Sequence, residues 1–196
     1  IKKYNIPQDK FYVQFAGTVG YVFNYKTVIE LAKRLKNNEN IRLQIVGDGN
    51  VKDEFIAEAK SLNLNNIDFY PLQPVDLVPD VYSACNICII PLKKGVIGNG
   101  VPSKAPILMA CRRVIVNSVE INTQYAEIKQ NNMGIAVDIS DYDGLADAVT
   151  YLYNSPDELK KMAENAYTFG KANYSSTQST AKLIKIVKSY GERKSR

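Results

Sequence analysis

Short apolar runs alternate with longer amphipathic segments along nearly the whole chain, and few folds accommodate this alternation. The runs FYVQFA (11–16), IRLQIV (41–46) and NICIIPL (86–92) are almost continuously apolar, which is typical of strands buried on both faces of a sheet. Further strands are predicted at 66–70, 113–117 and 134–139. The pattern therefore predicts an α/β fold, a Rossmann-like, doubly wound and mostly parallel six-stranded sheet with helices on both faces.

Capping signals indicate where the later helices begin. Asp76 is expected to cap a short helix that runs to about residue 84. Ser155, followed by Pro156, predicts the start of a helix in the closing segment. Ser175 with Gln178 offers a capping box for a last helix. That helix carries an apolar strip of Leu183, Ile184 and Val187.

The residue types exclude several kinds of chemistry. The 196 residues contain no histidine, so no Ser-His-Asp or Cys-His arrangement can form within the chain. Cys85 and Cys88 stand in a C-N-I-C sequence, which suits a redox pair, half a zinc site, or two small buried strand residues. Because Cys111 is the one further cysteine, four zinc ligands cannot be assembled from cysteine and histidine. Burial in a strand is therefore favoured, and a reducing cytoplasm fits.

Glycine-bearing loops follow the predicted strands. In a doubly wound sheet, ligands bind beyond the carboxyl ends of the strands. Four loops fall at those ends, at 17–20, 47–49, 70–72 and 95–103. Each is weak evidence alone, because G-D-G is often only a tight turn and G-T-V-G lacks the spacing of a dinucleotide fingerprint. A nicotinamide-dependent dehydrogenase is therefore disfavoured.

The loop at 95–103 carries the clearest ligand signal. Gly98 and Gly100 allow a ligand to approach the backbone closely. Ser103 is a plausible helix cap, and Lys104 adds a positive charge at the start of the helix. This arrangement predicts a diphosphate site. The alternative is a mobile surface loop with a solvated lysine.

The ordered set of motifs resembles one family. The runs GTVG, TVIELA, IVGDG, VPDVYSACNICIIPLKKG, VPSK and MAC are similar to the C-terminal domain of GT-B glycosyltransferases of family 4. Within that family they resemble bacterial O-antigen and capsule enzymes of the fucosyl and N-acetylfucosaminyl transferase type. The resemblance covers about Tyr4 to Tyr190. It implies that residues 1–196 form a single donor-binding domain, that an N-terminal acceptor domain lies outside this sequence, and that a helix at 175–190 crosses to it, leaving its apolar strip exposed here.

The resemblance implies a nucleotide-sugar site built from four groups of residues. The group near the diphosphate and the cleft is Gly17, Thr18, Val19 and Gly20. The group that flanks the nucleoside and meets the base edge is Gly47, Asp48, Gly49 and Leu72. The group that holds the diphosphate and the donor sugar is Gly98, Asn99, Gly100, Val101, Pro102, Ser103 and Lys104. Ile107 falls at the ribose position, and Lys104 is given the catalytic task of stabilising the departing diphosphate.

Three positions depart from the family pattern. Ile107 stands where the family usually has a glutamate that binds the ribose diol. Asn99 stands where a second carboxylate is common. The first loop lacks its usual basic residue, and Lys26 is near but out of register. These departures keep open a degenerate, non-catalytic domain that serves as a binding or regulatory module.

The leading interpretation is a retaining transferase that uses a nucleoside-diphosphate sugar, most plausibly a UDP-sugar, without a metal or other cofactor. The implied acceptor is a glycan or a polyprenyl-linked sugar, reached in the cytoplasm at the inner face of the plasma membrane. A net charge of +5 is too weak to indicate a nucleic acid partner. A sugar-nucleotide epimerase is disfavoured, because those enzymes use histidines and carboxylates that are not evident here.

Overall fold

Six parallel strands form one sheet in the order β3-β2-β1-β4-β5-β6. The structure is a computed structural model and describes residues 9–96, 103–121 and 123–194. The strands are β1 (Phe11–Ala16), β2 (Ile41–Val46), β3 (Ile67–Tyr70), β4 (Ile87–Pro91), β5 (Val114–Ser118) and β6 (Gly134–Val137). The order reverses between β1 and β4, so the doubly wound sheet expected from the sequence is confirmed.

Eight helices connect and follow these strands in the described ranges. They are α1 (Tyr25–Leu35), α2 (Lys52–Ser61), α3 (Val78–Ser83), α4 (Lys104–Ala110), α5 (Thr123–Gln130), α6 (Tyr142–Asn154), α7 (Pro156–Tyr174) and α8 (Ser176–Lys194). No helix within those ranges is long and apolar enough to span a bilayer.

The core lies on both faces of the sheet. Alternate residues of β1 show why: Phe11, Val13 and Phe15 pack with α1, α2 and α6, whereas Tyr12 and Ala16 pack with α3, α4 and α5. All six residues of β1 are buried. This two-sided burial explains the nearly continuous apolar runs, because each face of a central strand meets a helical layer.

One helix start differs from the sequence prediction, and a second start is confirmed without its side-chain cap. Asp76 does not cap a helix but lies inside a 3-10 turn at Val75–Leu77, and α3 begins after Leu77. The turn forms because the Leu77 N–H donates to the carbonyl oxygen of Pro74 at 3.0 Å. Ser155 does precede α7, but its side chain makes no capping hydrogen bond. Its carbonyl oxygen starts the helix by accepting from the N–H of Leu159 at 2.9 Å.

The last helix leaves an apolar strip uncovered, as expected. Leu183 and Val187 are 61% and 62% exposed, and Ile184 and Ile186 are also exposed. The predicted cap is present in part, since the Gln178 N–H donates to the Ser175 hydroxyl oxygen at 3.4 Å. The described chain therefore does not cover this strip, and a crossing to another domain stays a prediction.

Candidate functional site

The turns that follow β1 and β2 meet at the carboxyl edge of the sheet. The Gly17 N–H donates to the carbonyl oxygen of Val46 at 2.8 Å, and the Val19 N–H donates to that of Asp48 at 2.9 Å. A Cβ atom added to Gly47 would lie 1.8 Å from the carbonyl oxygen of Gly17. Glycine is therefore required at position 47 because the two backbones touch there.

The second turn is tied to the first by its own glycine. A Cβ atom on Gly49 would lie 2.3 Å from the carbonyl oxygen of Val19, and that oxygen accepts the N–H of Val51 at 3.3 Å. The Asp48 carboxylate turns back on its own loop and accepts the N–H of Gly49 at 2.8 Å. In the structure, Asp48 thus shapes the turn, and the predicted neighbourhood of the 17–20 and 47–49 loops is confirmed.

Lys104 reaches over the first loop from the start of α4. A Cβ atom on Gly17 would lie 2.3 Å from the Lys104 Nζ and 2.7 Å from its Cε, so any larger residue at position 17 would displace the end of this side chain. The ammonium lies 4.9 Å from the centre of the Phe15 ring, within range of a cation–π contact. Burial lowers the pKa of Lys104 below its ordinary value, because a partly desolvated ammonium is less stable when charged.

The third loop lies beside the second. The carbonyl oxygen of Tyr70 accepts the N–H of Gly47 at 3.2 Å and the ammonium of Lys52 at 3.2 Å. Leu72 is 61% exposed, so the backbone that follows β3 is open to a ligand. Lys52 was not among the predicted site residues. No local pattern marks it, because its partners are carbonyl groups from two other elements.

The donor loop itself is described only at its two ends. Gly98, Asn99, Gly100, Val101 and Pro102 lie outside the described residues.

At the near end of this loop, the Gly95 N–H donates to the Glu120 carboxylate at 2.6 Å. At the far end, Ser103 precedes α4 but makes no side-chain capping bond, so the predicted cap is wrong. Its backbone is already helical, with φ −59° and ψ −19°, whereas a capping residue is normally extended.

The remaining predicted positions differ in exposure. Thr18 is exposed, whereas Val19 and Gly20 are buried. Ile107 is 45% exposed and stands one turn after Lys104 on α4. Lys26 pairs with the carboxylate of Glu58 on α2, which agrees with its being out of register with the loop.

Cys85 and Cys88 form a buried pair, as favoured by the sequence, with Cys88 in β4 and Cys85 just before it. Cys85 and Cys88 are buried and their Sγ atoms lie 3.4 Å apart. Burial raises the pKa of the Cys88 thiol well above its ordinary value. Within the described ranges, no group of three or more metal-ligating side chains comes together.

These features define a Rossmann-like domain in which glycine loops and the Lys104 ammonium meet at the carboxyl edge of the sheet. The sequence profile of the family described as "Glycosyl transferases group 1" matches residues 1–169. The chain belongs to this family.

Two curated proteins are similar in sequence. A putative colanic acid biosynthesis glycosyl transferase, WcaI from Escherichia coli K12, is 29% identical over 68% of this chain and 32% of its own length. A probable glycosyltransferase, WbjE from Pseudomonas aeruginosa, is 28% identical over 63% of this chain and 31% of its own. The chain thus spans about a third of the length of the relatives it matches.

Solved structures share the fold. HepE from Anabaena, in complex with UDP, superposes with a TM-score of 0.76 at 15% identity, over 92% of this chain and 49% of HepE. The C-terminal domain of a glycosyl transferase group 1 protein, LpcC from Francisella tularensis, gives a TM-score of 0.69 at 18% identity, over 89% and 91% of the two chains. At these identities the likeness establishes the fold.

Proposed function

We propose that this chain is the donor-binding domain of a glycosyltransferase and that it holds a nucleoside-diphosphate sugar at the carboxyl edge of its sheet. The observation that carries the proposal is the meeting of the 17–20 and 47–49 loops with the ammonium of Lys104. The partly desolvated Lys104 ammonium suits a diphosphate, because it presents N–H donors in a place where charge is weakly screened.

The choice of donor and pathway follows the similar proteins. HepE is described with UDP, and WcaI is named for colanic acid biosynthesis. We therefore take the donor to be a UDP-sugar and the acceptor to be a glycan or a polyprenyl-linked sugar of a cell-surface polysaccharide. The same proposal includes a finer assignment, to family 4 and to the fucosyl or N-acetylfucosaminyl transferase type, with retention at the anomeric carbon. It also includes action at the inner face of the plasma membrane.

The proposed chemistry is transfer without a metal. The bond from the anomeric carbon to the diphosphate oxygen breaks, a bond from that carbon to an acceptor hydroxyl oxygen forms, and the hydroxyl proton passes to the departing diphosphate. Lys104 would stabilise the negative charge that develops on the departing diphosphate. Such a well-placed donor contributes about 2–4 kcal/mol to lowering the barrier.

A second candidate function is a non-catalytic binding domain. One observation favours it: Ile107 is exposed at the position where the family places the ribose-binding glutamate, and an alkyl side chain accepts no hydrogen bond. The placement of Lys104 against the glycine loops favours the donor-binding function instead.

Titration of the chain with UDP tests the proposal. We expect binding in the high-micromolar to millimolar range, about 4–6 kcal/mol, with the largest NMR shifts at the amides of 17–20 and 47–49. The affinity is expected to be low because the ribose carboxylate and the loop-one cation are missing. A chain that binds no UDP, or binds it without shifts in these loops, is not a donor-binding domain.

Replacing Ile107 by glutamate is expected to strengthen UDP binding. The new carboxylate would accept the two ribose hydroxyls, and a charged hydrogen bond contributes about 1.5–3 kcal/mol, or roughly tenfold to a hundredfold in affinity. Exposure of the side chain allows the change without loss of core packing. NMR titration measures it, with Ile107→Gln as a neutral control. Tighter binding by the unmodified chain than by the Ile107→Glu variant would place the ribose elsewhere.

The chain by itself is expected to bind donor without transferring sugar. Transfer needs an acceptor hydroxyl held in line with the anomeric carbon, and such positioning accounts for about 7–11 kcal/mol of a barrier in favourable cases. Leu72 at the carboxyl edge is 61% exposed, so water reaches this part of the edge. The measurement is product formation from a panel of sugar nucleotides and acceptors. Robust transfer would mean that the acceptor site lies within these 196 residues.

A further inference from the structure

Lys52 joins the second and third loops of the site. It is the first residue of α2, and its ammonium donates to the carbonyl oxygen of Gly47 at 2.6 Å and to that of Tyr70 at 3.2 Å. Both carbonyl groups stand where their strands end, at the carboxyl edge. Lys52 therefore fixes the spacing between the turn after β2 and the backbone after β3.

The ammonium of Lys52 is held by neutral groups. A positive charge at a helix start is opposed by the helix dipole, so its position is not explained by α2 itself. Within the described ranges, no ion pair includes Lys52, and Glu54 on the same turn accepts instead from the hydroxyl of Tyr25. Among the described residues, two carbonyl oxygens accept from the Lys52 ammonium, so one of its three N–H bonds has no acceptor there.

The carbonyl oxygens of Gly47 and Tyr70 already accept hydrogen bonds from within the chain. The Tyr70 carbonyl oxygen receives both the Gly47 N–H and the Lys52 ammonium, which fills its two lone pairs. The carbonyl oxygen of Gly47 receives Lys52 as well. This corner therefore offers the Lys52 ammonium as a donor to a ligand.

We propose that Lys52 is a specificity-determining residue that selects a nucleotide whose base presents a carbonyl oxygen and rejects one that presents an amino group there. The proposal rests on the proposed function, in which the 70–72 backbone meets the edge of the base. Uracil and cytosine differ at two adjacent edge positions: position 4 carries an oxygen acceptor in uracil and an amino donor in cytosine, and position 3 carries an N–H donor in uracil and a nitrogen acceptor in cytosine. The spare N–H of Lys52 pairs with the position-4 oxygen, whereas an amino group at that position would face an ammonium, which accepts no hydrogen bond.

The test compares UDP with CDP on four chains by NMR titration: the unmodified chain, Lys52→Met, Lys52→Arg and Lys60→Met. Lys60 is an exposed lysine at the other end of α2, so its variant controls for loss of one charge. The unmodified chain and the Lys60 variant should prefer UDP about tenfold, and Lys52→Met should reduce that preference to less than about threefold. Lys52→Arg, which keeps the donors, should restore part of it.

The ratio of the UDP affinity to the CDP affinity distinguishes selection of the base from a general loosening of the loops. A loosened loop weakens UDP and CDP alike, so the ratio stays constant and thermal unfolding reports the loss. Equal binding of the two nucleotides by the unmodified chain, or an unchanged preference in Lys52→Met, overturns the inference while UDP binding itself upholds the proposed function. Binding of neither nucleotide overturns both.

Discussion

Replacing Lys104 by methionine is expected to weaken UDP binding about tenfold to a hundredfold. Methionine keeps the length of the side chain over Gly17 but removes the ammonium, and a hydrogen bond to a charged group contributes about 1.5–3 kcal/mol. Because the Lys104 ammonium is partly desolvated and its pKa is lowered, its pairing with a diphosphate is less screened than at an exposed site. NMR titration of both chains measures the change.

The stability of this variant separates binding from folding. Loss of the cation–π contact with Phe15 costs about 0.5–1 kcal/mol, and removal of a desolvated charge offsets that cost, so thermal unfolding should change little. Lys36→Met is the matched control, because Lys36 is exposed and follows α1 at the opposite edge of the sheet. Unchanged UDP affinity in Lys104→Met, or an equal loss in Lys36→Met, would remove Lys104 from the site.

Replacing Gly47 by alanine is expected to destabilise the fold by about 2–4 kcal/mol. The added Cβ atom would lie 1.8 Å from the carbonyl oxygen of Gly17, well inside van der Waals contact. Relief requires a shift of backbone, because the clashing atom belongs to no flexible side chain. The midpoint of thermal unfolding should fall by roughly 5–15 °C for a domain of this size.

Gly20→Ala is the matched control for that substitution. Gly20 belongs to the same corner, but its nearest atom would be the Thr18 Cγ2 at 3.2 Å, which a side-chain rotation can relieve. Its effect should stay below about 1 kcal/mol. Similar unfolding temperatures for Gly47→Ala and the unmodified chain would mean that the first two loops are not in backbone contact.

The sheet could be predicted from the sequence because its strands are buried on both faces. Because β1, β2 and β4 are buried, each is a nearly continuous apolar run in the sequence. The alternation of these runs with helices predicts that the strands are parallel. Helix α5 was missed because its sequence, TQYAEIKQ, carries no apolar face; Ile128 is its one fully buried side chain in the described part of the helix. Leu62 continues the apolar spacing of Phe55 and Ala59 but is 44% exposed, because α2 ends at Ser61.

The positions of the glycines at the candidate site could be predicted from the sequence, whereas most of its side-chain hydrogen bonds could not. Gly17, Gly47 and Gly49 follow strands, and parallel topology brings the ends of β1 and β2 together. Lys52 could not be found this way, because the carbonyl groups that hold it come from β2 and β3 and are neighbours only in the folded chain. Asp48 is the opposite case, since its carboxylate bonds within its own turn as a G-D-G turn suggests.

A crystal structure of the chain with UDP tests the central claim most directly. The account predicts the diphosphate within hydrogen-bonding distance of the Lys104 ammonium and of the 17–20 backbone, with the base beside Lys52 and the 70–72 backbone. A polar recess lies at the amino edge of the described surface and is lined by Lys10, Lys36 and Arg42 together with several asparagines. UDP bound in that recess, with the carboxyl edge empty, would contradict the account.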